Sequence, residues 1–397
     1  MPTTRSTLNK FLTVLGVSLI IPAPFIYVHH RIVKCLKQLI IQDARFTKRY
    51  NSLKLSSTLF CTALFTCIFA GRLCSYVFQP SSIVSLLFAL SELTAGFSYW
   101  FLCTLLFFHP FVFLPSDKMK LCSFYFAVIL TVILSFVTFE TSTQFVVTHH
   151  SISTHLHPLK RPLQKPVKLA VISDIHITGS FMSMSQLTRV SDIIKTLNAD
   201  YCLILGDVID VPNARQVFSS KDVDLSVLNN VAKNPTIAIL GNHDLYSDKE
   251  AVADIITQAN ITLLRGTSLK VEELEFLGIN DYGLSPLPYL TDEIGSVLAK
   301  ADTTKFPIVL VHQPIVEALN LIDQMSSTTG FLSLSGHVHR GQLFPLQLPL
   351  SWKYRFFYGK YSFANGFAIV SSGIGNSVCP FRGPFSSRPE ILSINLH

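Results

Sequence analysis

At 397 residues, 49% hydrophobic and only 14% charged, with a mean hydropathy of +0.42, the chain is too long for one small domain and too apolar to be wholly soluble. Its formal net charge of +7 comes largely from cations that flank hydrophobic segments rather than lining one face of a soluble domain. That argues against a nucleic-acid-binding protein.

Residues 11–28, 55–71, 73–91, 93–116 and 121–139 contain no Asp, Glu, Lys or Arg, and charges return at ordinary density after about 158. A spanning helix needs about 20 mostly apolar residues. Residues 1–145 therefore read as an all-α transmembrane domain of about four spans, near 11–29, 55–78, 82–108 and 120–141. The turns are Gln79-Pro80-Ser81-Ser82 and Pro115-Ser116-Asp117-Lys118. The third span contains Glu92, and its apolar tail runs through His109-Pro110 to Leu114, so a re-entrant piece or a fifth span stays open. Glu92 and Arg72 either pair between spans or lie near an interface. With Pro22, Pro24 and no small-residue cleavage pattern, the first span reads as retained rather than as a removable signal.

Between the first two spans lie Arg31, Lys34, Lys37, Arg45, Lys48, Arg49 and Lys54 against one acid, Asp43. The positive-inside bias puts this loop in the cytoplasm, and four spans then put the C-terminal half on the exoplasmic side, lumenal or extracellular. Five spans reverse that. Residues 31–49 also fit a basic amphipathic helix on anionic lipid. Of eight cysteines only Cys202 and Cys379 fall in the soluble half, neither in a CxxC pair. A disulfide between them would suit an exoplasmic site, but Cys202 reads most simply as a core residue.

Residues 146–166 read as a linker rich in His, Ser, Thr and Pro; a metal site on His149, His150, His155 and His157 has little support there. From 167 to 397, apolar runs at 167–173, 201–205, 236–240, 274–279, 307–311, 331–335 and 367–372 predict strands. Helical patterns fall at 185–198, 222–233, 248–259 and 292–300. Helices between the early strands allow a parallel sheet, and near-continuous apolar runs suit strands buried on both faces. The expectation is a layered α/β domain with its site at the carboxyl ends of the strands.

Five motifs stand at those ends: Asp174-Ile175-His176, Gly206-Asp207-Val208-Ile209-Asp210, Gly241-Asn242-His243-Asp244, Val311-His312 and Gly336-His337-Val338-His339. They offer only oxygen and nitrogen ligands. Such sets favour divalent ions like Mn²⁺, Fe²⁺ or Zn²⁺ over a thiolate-based structural zinc. A pair of ions about 3.5–4 Å apart suits hydrolysis of a phosphate ester.

In this order the motifs resemble the calcineurin-like metallophosphoesterase family over residues 167–397. The resemblance implies an α/β, four-layer double β-sandwich flanked by helices, preceded here by the multi-span transmembrane domain. It implies two divalent metal ions (Mn, Fe or Zn), one held by Asp174, His176, Asp207 and His339, the other by Asp207, Asn242, His312 and His337. It makes His243 the catalytic histidine that protonates the leaving oxygen or stabilises the transferring phosphoryl group. Asp244 would orient that imidazole, with Asp210 near the ligands but not among them. The implied partners are a phosphorylated small-molecule or lipid substrate and the lipid bilayer, with no nucleic acid; oligomeric state stays open. A catalytically silent scaffold or receptor on the same fold is the alternative, and loss of ligands, its signature, is absent here.

The chain departs from the family's usual pattern at Arg340, where many relatives carry glycine; a position needing positive φ would strain an arginine. Arg340 and Arg382 read equally as phosphate contacts or as structural residues. The stretch Asn280-Asp281-Tyr282 reads as a turn more readily than as a pocket rim.

Overall fold

The computed structural model describes residues 26–27, 29–30, 33–34, 47–77, 82–113, 116–154, 163–177, 181–211, 214, 224–283 and 287–397. Chain contacts divide it into two compact units, Met1–Val137 and Thr138–His397.

In the first unit, three helices are long and apolar enough to cross a membrane: α1 (Thr47–Val77), α2 (Ser82–Phe107) and α3 (Asp117–Thr141). These match the second to fourth expected spans. The first span and most of the basic loop lie outside the described residues, as does the side chain of Arg72; Glu92 is buried. Small and polar residues mediate packing, as expected where lipid removes the hydrophobic drive between helices. A Cβ on Gly71 of α1 would meet that of Ser91 in α2 at 2.5 Å. The hydroxyls of Thr104 and Thr131 meet at 2.7 Å between α2 and α3.

The second unit continues with β1 (Val146–Ile152), β2 (Val167–Ile172), α4 (Met184–Leu197), β3 (Tyr201–Leu205), β4 (Ile237–Ile239), α5 (Asn242–Tyr246), α6 (Lys249–Gln258) and β5 (Thr262–Leu263). After these come β6 (Thr267–Val271), β7 (Leu274–Gly278), α7 (Tyr289–Ala299), β8 (Phe306–Leu310), α8 (Val316–Met325), β9 (Phe331–Ser335), α9 (Gln347–Lys353), β10 (Gly359–Ser362), β11 (Gly366–Val370) and β12 (Glu390–Leu396). Part of the stretch read as a linker is thus a strand: β1 pairs in parallel with β12, Val146 opposite Glu390 and Ile152 opposite Leu396. His155 and His157 lie outside the described residues. The expected helix at 222–233 is a 3₁₀ turn over Leu225–Leu228 in its described part, ended where Asn230 takes left-handed backbone at φ 55°.

Two six-stranded mixed sheets result, ordered β1-β12-β2-β3-β4-β5 and β10-β11-β9-β8-β7-β6. Between them lies an apolar layer that includes Leu169, Val171, Leu203, Leu205, Phe276, Ile308, Leu310 and Leu334. One outer face is covered by α4 and α6 through Leu187, Val190, Ile194, Val252 and Ile256. The other is covered by α7 and α8 through Ile294, Leu319 and Ile322. This is the expected four-layer double β-sandwich flanked by helices. Helix α4 starts on a reciprocal cap, Ser183 accepting from Gln186 N while the Gln186 side chain accepts from Ser183 N, worth about 1 kcal/mol. Cys202 and Cys379 are both buried, and no disulfide joins them.

Candidate metal centre

Strands β2, β3 and β4 are parallel, as are β7, β8, β9 and β11. All five motifs follow such strands, so residues far apart in sequence leave the sheets at one edge. The turns there are tight. Asp174, His176, Asp207, His337 and His339 all take left-handed backbone, with φ between 48° and 73°. Each non-glycine residue held so costs about 1–3 kcal/mol, a strain that clusters at functional sites. Space is equally scarce: a Cβ on Gly336 would meet Asp174 Oδ2 at 2.5 Å, and one on Gly241 would meet His312 Cε1 at 2.8 Å.

The expected ligands fall into two groups, Asp174 with His176 and His339, and Asp207 with His312 and His337, each set of ligand atoms lying within 4.8 Å of one another. Asn242 joins the second through Oδ1, 2.8 Å from His337 Nδ1. Asp207 lies between the groups, Oδ2 being 3.1 Å from His312 Nε2 and 3.6 Å from His176 Nε2. Its other oxygen accepts from His243 N at 2.7 Å.

Several ring nitrogens are turned inward on one another or on a buried carboxylate. His312 Nδ1 donates to Leu205 O at 2.7 Å, which turns Nε2 into the site toward Asp207 Oδ2; burial opposes a charge on the ring, but without a cation Asp207 and Asp174 raise it well above the usual histidine range. In the other group, His176 Nε2 and His339 Nε2 face each other at 3.0 Å. Two opposed ring nitrogens, and a third facing a buried carboxylate, fit divalent cations.

Charge follows the same logic. Burial opposes ionisation of Asp207, but His312, His243 and His176 overcome it and hold the carboxyl well below the usual range. Burial and the charge of His312 push His337 down to about 3, and burial with Arg382 lowers His339. Those imidazoles stay neutral, the form that ligates metal.

Around His243 the structure corrects one expectation. Asp244 does not touch the imidazole. It is fully buried, accepting from Val208 N and Ile209 N at 2.9 Å each and from Gly241 N at 2.8 Å, so it ties the second motif loop to the third. Adjacent residues at the start of α5 point in different directions, which is why sequence adjacency misled. The carboxylate that holds the imidazole is Asp210: Oδ1 lies 2.9 Å from His243 Nδ1, and Oδ2 lies 3.1 Å from His176 Nδ1. One side chain thus fixes both a candidate ligand and the candidate acid. Burial works against a charged His243, yet Asp210 and Asp207 raise it to about 9.

Arg382 is structural. It is fully buried, with Nη1 donating to Ser372 O (2.9 Å), His339 O (3.2 Å) and Ser387 O (3.3 Å), Nε to Gly375 O (3.0 Å), and Nη2 lying 2.9 Å from His339 Nδ1. Arg340 has the suspected left-handed backbone, φ 49° and ψ 32°, and its guanidinium sits 3.9 Å from the centroid of the Tyr358 ring. Asp281 accepts from Gln313 Nε2 at 2.9 Å, bracing the neighbour of His312, whereas Tyr282 donates outward to Glu293 at 2.7 Å. Sequence reasoning missed Tyr354, whose hydroxyl lies 3.5 Å from His337 Nε2; nothing in its local pattern marks it.

Residues 167–341 match the calcineurin-like phosphoesterase family. Among curated relatives, an uncharacterized metallophosphoesterase of Helicobacter pylori strain J99 is 28% identical over 236 residues, covering 59% of this chain and 60% of its own. The transmembrane protein with metallophosphoesterase domain of Danio rerio is 31% identical over 243 residues, 58% of this chain and 53% of the relative. Its Bos taurus namesake is 27% identical over 285 residues, 68% and 61%. The chain thus spans about 60% of the length of the first relatives it matches.

Proposed function

With a calcineurin-like phosphoesterase domain in its second half, we propose that the chain is a membrane-anchored, metal-dependent hydrolase of phosphate esters. Asp174, His176, Asp207 and His339 would hold one divalent ion and Asp207, Asn242, His312 and His337 a second, drawn from Mn, Fe or Zn. The observation that carries this reading is the convergence of these side chains from separate strand ends, with His176 Nε2 and His339 Nε2 opposed inside the cluster.

Two such ions supply Lewis acidity toward phosphate oxygens and make water a nucleophile at neutral pH. The protein's own groups do the rest. Asp210 occupies His243 Nδ1 and favours the protonated imidazole, which leaves Nε2 to give a proton to the departing oxygen. Through its other oxygen Asp210 holds His176, so acid and ligand keep a fixed relation. Asp207 also fixes the His243 backbone.

The substrate reading is a lipid-linked phosphate met on the exoplasmic side, favoured by the apolar helices and by the positive loop counted with four spans. Full-length protein in detergent with Mn²⁺ and an aryl phosphate tests the chemistry. Asp207→Asn and His243→Ala are expected to lose about 10²-fold or more in turnover. Equal turnover in all three would end the proposal, and metal analysis finding less than about one ion per chain after loading would favour the silent scaffold. Impermeant labelling in sealed vesicles tests orientation: reaction of the second unit from the same side as the Arg31–Lys54 loop reverses it.

A further inference from the structure

Between His339 and Tyr354, two residues of the centre, the chain leaves the core. Phe344, Leu346, Leu348 and Trp352 are 55%, 45%, 47% and 83% exposed, and α9 has no buried residue. Scattered apolar side chains are ordinary on a protein surface; four within nine residues form a patch. The adjoining 377–387 loop adds Val378 and Phe385, 57% and 95% exposed. Gln342 ties the two together, its Nε2 donating to Cys379 O at 2.7 Å and its carbonyl accepting from Gly383 N at 3.0 Å.

The same loop reaches the end of an apolar helix. Thr138–Thr141, the last turn of α3, belongs to the second unit. Thr138 O accepts from Arg382 N at 2.9 Å, and the Phe139 and Phe381 rings lie 6.2 Å apart. Charge adds a second, independent pointer. From residue 324 to residue 389 there is no Asp or Glu, while Arg340, Lys353, Arg355, Lys360, Arg382 and Arg388 all fall in that stretch. Lys353, Arg355, Lys360 and Arg388 are exposed.

We propose that Phe344–Trp352, with Phe385, forms an in-plane contact with anionic lipid headgroups of the bilayer in which the chain is anchored. Apolar side chains with Trp on one side and Lys or Arg around them are the composition of segments that settle about 5–10 Å into the headgroup boundary. A second copy is the poorer occupant, because face-to-face pairing would set the same cations against each other without an acid to match them. Both ends of the segment are fixed to the centre, through His339 and through Tyr354 at His337. Docking therefore presents the centre to headgroup phosphates. That consequence rests on the proposed catalysis; the docking itself rests only on the membrane anchor.

The test uses full-length protein in vesicles of zwitterionic and anionic phospholipid. The chain has two tryptophans, Trp100 and Trp352, so the difference between wild type and Trp352→Phe isolates Trp352 emission at a position too exposed for the change to unfold the protein. The expected result is a blue-shifted difference spectrum that falls at least about twofold when lipids brominated near the glycerol end replace ordinary ones. A difference spectrum typical of water, quenched by iodide and not by bromolipid, overturns the proposal. So does a blue shift unaffected by bromolipid and lost on dilution to about one copy per vesicle, which would assign the patch to self-association.

Discussion

Asp210 and Asp244 separate two jobs that the sequence left merged. Because Asp210 holds the His243 and His176 imidazoles, Asp210→Asn should cut turnover by about 10²–10⁴, far more than the stability lost with its pair to His243 accounts for. Asp244 instead accepts three backbone N–H groups in the interior, so Asp244→Ala should destabilise the second unit by about 2–5 kcal/mol and lose activity only through that loss. Paired turnover and melting measurements check both. A pH experiment follows from the same pair. His243, raised to about 9, contributes stability that is fully present below the ordinary histidine value and lost as pH rises through about 9. In chelator-treated protein, Asp210→Asn should bring the ring titration, followed by NMR, back down toward about 6.5. At Arg340 two effects oppose each other: left-handed backbone costs an arginine about 1–2 kcal/mol, and the contact with Tyr358 returns about 0.5–1 kcal/mol. Arg340→Ala keeps the strain and loses the ring contact, so it should melt lower than both wild type and Arg340→Gly.

Among the elements, what the sequence could show was whatever is local and apolar. Strands β2, β3, β7, β8 and β9 are buried runs, five of five residues buried in all but β2, and each stands within a residue of its expected place. Since the motifs directly follow such strands, the cluster of candidate ligands was legible too. The missing pieces depend on distance along the chain. β1 reads VVTHHSI, half-exposed and polar in alternation, because it is an edge strand. β12 has an apolar pattern, but its seat between β1 and β2 joins the two ends of the second unit, which no local pattern encodes. Asp210 was visible as part of a motif, yet its role needed the third dimension. The fragment 142–397 should therefore differ from 167–397: the shorter one loses β1 and leaves the apolar strand β12 as an unprotected edge. It should melt lower and aggregate on gel filtration, whereas the longer one should stay dispersed.

On the scale of the whole chain, two units with different solvents need not unfold together, and a single melting temperature would hide which of them responds to metal. The second unit buries Asp174 and Asp207 among four imidazoles, a cluster that only the folded chain assembles. Burial raises the Asp174 carboxyl, a sign that its charge is poorly compensated by the protein alone. A cation binding this cluster and not the unfolded chain stabilises by mass action, about 4 kcal/mol at a free concentration of about 1,000 Kd. Full-length protein in detergent should then show an upper shift on adding Mn²⁺ or Zn²⁺ after chelation, confined to the transition of the second unit. The helices of the first unit have no such cluster among the described residues, so their transition should stay in place. Asp207→Asn removes the carboxylate that lies between the two groups and should abolish most of the metal-dependent shift. A shift that survives the substitution in full would place the stabilising cation somewhere other than this centre.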